Sequence, residues 1–261
     1  MQLFLCHRIE LLAYHLHQTM KKQLFLTRWS LKLALSAALI AVLAVTSYRL
    51  AFVDFQPAVL GLVAGAIAGL LAILMGLVGT ALAIKAKKSE IMTTLAGPTL
   101  GFLVMMPIIF AALSAAGVPR IHDITTDLMN PPKFSVITGL RTSAHNPLDR
   151  QKPKDLANLQ KTGYPNLGPI RVNQPVNEVF NKAVLLVEKR GWEVIAVAPE
   201  EGRIEATATT RIMGFKDDIV IRLQAIAGQT QVDMRSVSRV GESDLGVNAT
   251  RIKLFLAELD M

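Results

Sequence analysis

Apolar residues gather into three long stretches in the first half of the chain, at about 31–53, 57–84 and 91–118, and nothing like them recurs in the second half. Each is about long enough to cross a hydrocarbon core of roughly 30 Å at 1.5 Å per residue. The second carries no charge between Pro57 and Ile84. The first is the weakest: its uninterrupted part, Leu33 to Ser47, is short, and Lys32 and Arg49 must reach toward the two surfaces. It also reads as a signal peptide, with Lys21–Lys32 as basic region and Leu33–Val45 as apolar region, although no Ala-x-Ala site follows. Residues 1–19 allow two readings as well. Met20-Lys21-Lys22 resembles a natural start, which leaves 1–19 untranslated; otherwise Leu3–His17 is a short interfacial helix.

Past Pro119 the pattern changes. Residues 119–174 are rich in Pro, Asn and Thr and weakly periodic. They predict an extended loop lying on a domain, with one short helix near Asp155–Lys161. From Pro175 to Arg190 the apolar positions Val176, Val179, Phe180, Ala183, Val184 and Val187 recur at three and four residues, and Gly191 stops the helix. Four strand patterns follow, at Trp192–Ala198, Arg203–Thr210, Asp218–Ile226 and Thr230–Val240, the last two joined through Gly228-Gln229. A helix at Leu245–Leu259, capped by Ser243 or Asp244, ends the chain. The predicted fold is a three-span α-helical membrane bundle followed by an α+β domain, a four-stranded antiparallel meander with both helices on one face.

Alternation within the strands puts Glu205, Thr207, Thr209, Arg222, Asp233, Arg235 and Arg239 on the face away from the helices, with Arg211 just beyond its strand. One reading is a solvated face with cross-strand ion pairs such as Glu205 with Arg222. The other is a groove in which Arg211, Arg222, Arg235 and Arg239 hold an anionic ligand through their forked donors.

Charge adds orientation. Residues 1–118 hold nine Lys and Arg against three Asp and Glu, and the remainder holds 19 against 17. The basic excess therefore flanks the spans, and the second half has no electrostatic reason to bind nucleic acid. Arg8, Lys21, Lys22, Arg28 and Lys32 precede or open the first span, Arg49 stands nearly alone after it, and 85–90 is basic again. Basic residues collect on the cytoplasmic side, so the N-terminus is expected inside and the C-terminal domain outside. In a Gram-negative cell that is an inner-membrane protein with a periplasmic domain. Its expected partners are the lipid bilayer and an envelope protein or an anionic small molecule.

Glycines four apart, Gly61, Gly65 and Gly69, line one face of the second span and allow close helix approach. The first or third span of the same chain is the expected neighbour, and a homodimer is the alternative. Pro107 is expected to kink the third span. No span interior carries an ionisable residue, which disfavours transport. Cys6 is the only cysteine, so an intrachain disulfide and a catalytic cysteine in the second half are excluded. His15 and His17 do not share a helix face, so the histidines of the first segment do not predict a metal site, and no cofactor is expected.

Several separated segments resemble one family. Ile121-His122-Asp123-Ile124-Thr125-Thr126-Asp127, Glu200-Glu201-Gly202-Arg203-Ile204-Glu205-Ala206-Thr207, Gly214-Phe215-Lys216-Asp217-Asp218 and Arg235-Ser236-Val237-Ser238-Arg239-Val240-Gly241-Glu242-Ser243-Asp244-Leu245-Gly246 look like the domain of unknown function family numbered 1499. The resemblance covers about 119–260 and implies a domain that follows a few membrane spans; it implies no activity. An early cysteine-containing segment of some members is replaced here by Thr142-Ser143-Ala144-His145.

For catalysis the candidates are His122 as base with Asp123 and Asp127, a second acidic pair in Asp217-Asp218, and the hydroxyls of Ser236, Ser238 and Ser243. None forms a nucleophile elbow or a metal-ligand pattern. Adjacent acids on a strand point to opposite faces, so Asp217 and Asp218 are not expected to share a metal. The favoured expectation is a membrane-anchored envelope protein that binds a partner or an anion; the alternative is a tethered hydrolase using His122, Asp123 and Asp127.

Overall fold

A computed structural model describes residues 2–86 and 91–261. It divides into two compact units, Met1–Ala112 and Leu113–Met261. In the first, α1 (Gln2–Arg49), α2 (Phe55–Lys85) and α3 (Ile91–Ala115) are each long and apolar enough to cross a membrane, α1 over His17–Arg49. The first span is thus not a separate helix. It continues without a break from the preceding segment, so Leu3–His17 is not the short separate helix of the second reading. Part of the expected basic loop, Lys87–Glu90, lies outside the described residues. Pro98 and Pro107 both lie inside α3.

The small residues of α2 face the other two helices, as their spacing requires. A Cβ on Gly61 would meet Ala44 Cβ at 2.9 Å, and one on Gly65 would meet the Ala37 carbonyl at 3.1 Å. Gly69 faces the Gly101 carbonyl of α3, and a Cβ on Gly76 would lie 2.2 Å from Pro98 Cγ. Spans of the same chain therefore occupy the glycine face. Ser30 Oγ donates to the Ala72 carbonyl at 2.7 Å and Thr80 Oγ1 to Thr94 Oγ1 at 2.9 Å. These bonds satisfy hydroxyls where no water is at hand.

The second unit is built on a mixed-length antiparallel sheet. β3 (Glu193–Ala198), β4 (Arg203–Thr209), β5 (Lys216–Ile226) and β6 (Gln229–Ser238) form the expected meander. Two three-residue strands, β1 (Asp123–Thr125) and β2 (Ile170–Val172), pair with the outer edge of β6. The sheet has six strands rather than four. The additions come from the proline-rich stretch, where three residues are too few for a period to be read. The same stretch also holds α4 (Val136–Leu140) and α5 (Leu156–Gly163), the second close to the short helix expected there.

Both long helices, α6 (Val176–Lys189) and α7 (Val247–Leu259), pack on one sheet face. Their inner positions, among them Val179, Phe180, Ala183, Ile252 and Phe255, close over Ile204, Ala206, Ile219, Ile221, Val232 and Met234 to form the core. Asp244 caps α7: its carboxylate accepts from Gly246 N at 3.0 Å and Asn248 N at 2.7 Å. The β5–β6 hairpin turns on Ala227 and Gly228, both at positive φ, one residue earlier than expected.

Candidate functional site

The other sheet face is polar, as alternation requires, yet it is not solvated. Glu205, Asp218 and Asp233 are fully buried and Arg235 is 4 % exposed. The cover is the chain between β1 and α5, a strap of about 126–150 that side chains of the sheet hold down.

Four carboxylates organise the contact. Glu205 accepts from the backbone N–H groups of Ser135 and Ile137 at 2.7 and 2.8 Å, at the start of α4, and is paired with Arg203. Asp233 accepts from Arg222 Nη2 at 2.9 Å and from Thr126 Oγ1 at 3.1 Å. Asp218 accepts from Arg239 of the sheet, from Arg141 Nε of the strap at 2.8 Å and from Thr207 Oγ1. Asp123 accepts from Arg235 Nε and Nη2 at 3.0 and 2.6 Å and is also paired with Arg150 of the strap. The cross-strand pair expected between Glu205 and Arg222 does not form: Glu205 pairs with Arg203 of its own strand and takes backbone N–H groups of the strap, and Arg222, opposite Arg203, pairs with Asp233 and Asp127.

These pairs set the ionisation of the face. Burial alone raises the Asp218 pKa, but the hydrogen bonds from Arg239 and the charge of Arg141 outweigh it and hold the carboxyl below its usual range. Burial lowers the Arg150 pKa, with Asp123 pulling against it and the charge of Arg235 adding to it. Arg141 is lowered likewise, by burial first and by Arg239 among its neighbours. Two guanidiniums thus share one carboxylate at two places, Arg150 and Arg235 on Asp123, Arg141 and Arg239 on Asp218.

Two clefts open beside the strap on either side of residues 131–134. The first, about 410 Å³, is lined by Lys133, Ser135, Glu201, Arg203 and Arg222 among others. The second, about 340 Å³, is lined by Lys133, Phe134, Leu148, Arg150 and Arg235, with Pro131, Thr138 and Asp149. In the first, Arg203 is met by Glu201 and Glu205, and Arg222 by Asp127 and Asp233. In the second, Arg150 and Arg235 have Asp123 between them, Lys133 has no ion pair among the described residues, and the Arg150 Nε–H has no acceptor there.

The catalytic candidates do not converge. Asp123 is held by two arginines. Asp127 binds Arg222 and the backbone N–H groups of Met129 and Asn130. The His122 ring nitrogen Nδ1 is buried without a partner among the described residues. Burial lowers the pKa of His122 against the opposing charges of Asp123 and Asp244. Asp217 and Asp218 do point to opposite faces: Asp217 pairs with Arg251 of α7 at 2.6 Å, Asp218 with the strap. Of the four expected arginines, Arg222, Arg235 and Arg239 lie on the predicted face, and Arg211 lies exposed in the turn after β4. Sequence reasoning missed Lys133, Arg141 and Arg150, all in the aperiodic strap. The available signal was the row of inward acids Glu205, Asp218 and Asp233, which must find cations if they are covered.

Three apolar helices long enough to cross a membrane precede an α+β domain with a strapped polar sheet face. Residues 123–259 match the family described as Protein of unknown function (DUF1499), and the chain belongs to that family. No curated protein matches the chain.

Proposed function

We propose that the C-terminal domain stands outside the cytoplasm and binds an anionic group, free or carried by an envelope protein, in the cleft bounded by Lys133, Arg150 and Arg235. The observation that carries this reading is the sharing of Asp123 by the buried Arg235 and the largely buried Arg150. Three cations then converge where the side chains facing them supply Asp123 and, at the rim, Asp149, whose Oδ1 is engaged by Gln151 N. Burying like charges together is costly, and an incoming anion relieves that cost. Arg150 has a spare N–H and Lys133 three, so donors are available without breaking the structural pairs. This reading moves the proposed site from the arginine row as a whole to one end of it, where Lys133 and Arg150 keep donors to spare beside Arg235.

Calorimetric titration of the detergent-solubilised chain with inorganic phosphate tests it. Saturable binding is expected, weakened about tenfold by Lys133→Ala, which removes one charge-assisted contact. No heat with phosphate, pyrophosphate or sulfate would overturn it.

A further inference from the structure

We infer that the anion taken by this cleft carries an apolar chain, so that the site is built for an amphiphile with an acidic head; the inference rests on the anion reading above. The cleft has a mixed lining: Lys133, Arg150 and Arg235 supply cations, and Pro131, Phe134 and Leu148 supply apolar surface. The Arg235 guanidinium carbon lies over the Phe134 ring, 5.3 Å from its centroid. A small inorganic anion in this space exchanges part of its water shell for these donors and meets apolar surface beside them, where lost hydration is not replaced. A head attached to methylenes has no such mismatch: its acid meets the cations while its chain covers Phe134 and Leu148. A volume of about 340 Å³ suits a head and a short run of methylenes, at the small end of ligand pockets, roughly 300–1,000 Å³. Phe134 and Leu148 are each half-buried, which leaves surface for the chain to cover.

The probes are inorganic phosphate, hexyl phosphate below its micelle concentration, and hexanol, each titrated into the full chain in phosphatidylcholine nanodiscs. Hexyl phosphate is expected to bind at least about tenfold tighter than phosphate, because a few partly buried methylenes suffice for that factor. Leu148→Asn should erase the gain, read as the ratio of hexyl phosphate to phosphate affinity in that variant, while keeping the backbone carbonyl that accepts from Arg235. Lys133→Ala should weaken both anions. Equal affinity for phosphate and hexyl phosphate overturns the amphiphile and leaves the anion site standing; hexanol binding as tightly as hexyl phosphate also overturns it. Failure of every probe defeats both readings. In nanodiscs that contain phosphatidylglycerol, loss of hexyl phosphate binding identifies a lipid headgroup as the source, and retained binding identifies a free amphiphile; either supports the inference.

Discussion

Asp218 is fully buried between Arg141 and Arg239. Its removal leaves two cations without a counter-charge where little water reaches. Asp218→Ala is therefore expected to cost about 3–5 kcal/mol in urea unfolding of residues 113–261. Arg120 and Glu242 form a pair of the same geometry, 2.7 Å, but both side chains are about four-fifths exposed. Arg120→Ala should cost no more than about 1 kcal/mol, because solvent already screens the pair. His122 carries a pH signature. Its folded pKa lies below the usual value near 6.5, chiefly through burial. A group depressed on folding contributes stability that is complete above its unfolded pKa and is lost as pH falls through the folded value. Urea midpoints measured from pH 7.5 downward should begin to fall near pH 6.5, and His122→Leu should flatten that early part of the decline.

At the scale of elements, the β5–β6 turn holds a correctable strain. Ala227 sits at φ 49° beside Gly228 at 82°. A left-handed conformation costs an L-residue roughly 1–2 kcal/mol, part of which Gly returns in chain entropy. Ala227→Gly should stabilise the domain by about 0.5–1 kcal/mol. In α2 the opposite holds: Gly76→Val would drive a side chain into Pro98 and Ser30 and should lower the thermal stability of the purified chain, while Leu77→Ala on the exposed flank should not. The long elements were legible because each presents one continuous apolar face: α2, α6, and β4 with Ile204, Ala206 and Ala208 on its core side. The strap was not. The elements of the strap and of the proline-rich stretch around it are three to eight residues long, and non-local bonds place them, such as Ser135 N to Glu205 or Gln160 Nε2 to the Thr125 carbonyl at 2.6 Å. For the same reason three of the arginines were assigned to the correct face, but their burial was not foreseen. Alternation reports direction, whereas what lies above a face depends on contacts far away in the chain.

For the whole molecule the proposal of an external domain rests on the basic residues in the first part of α1, ahead of or opening its apolar span, and in the 85–90 loop. Alkaline phosphatase fused after Met261 should be active and an ordinary fluorescent protein fused there dark; the reverse pair of results would sink the orientation. The same count makes the spans a stable frame for either outcome, since the α2 glycines are already packed on α1 and α3.

The shared carboxylates have a consequence for how related sequences vary. Asp218 receives one arginine from the strap and one from the end of the sheet, 77 and 21 positions away. Losing the acid strands both cations, and losing one cation changes the charge that the acid sees. Single substitutions at these positions are therefore harmful steps, and neutral drift has to pass through compensated sets. Relatives that lack an acid at 218 should lack arginine at 141 and 239 together, and the same triplet rule should tie 123 to 150 and 235. An alignment in which 218 varies freely while both arginines stay would show that the face is held together by something other than charge.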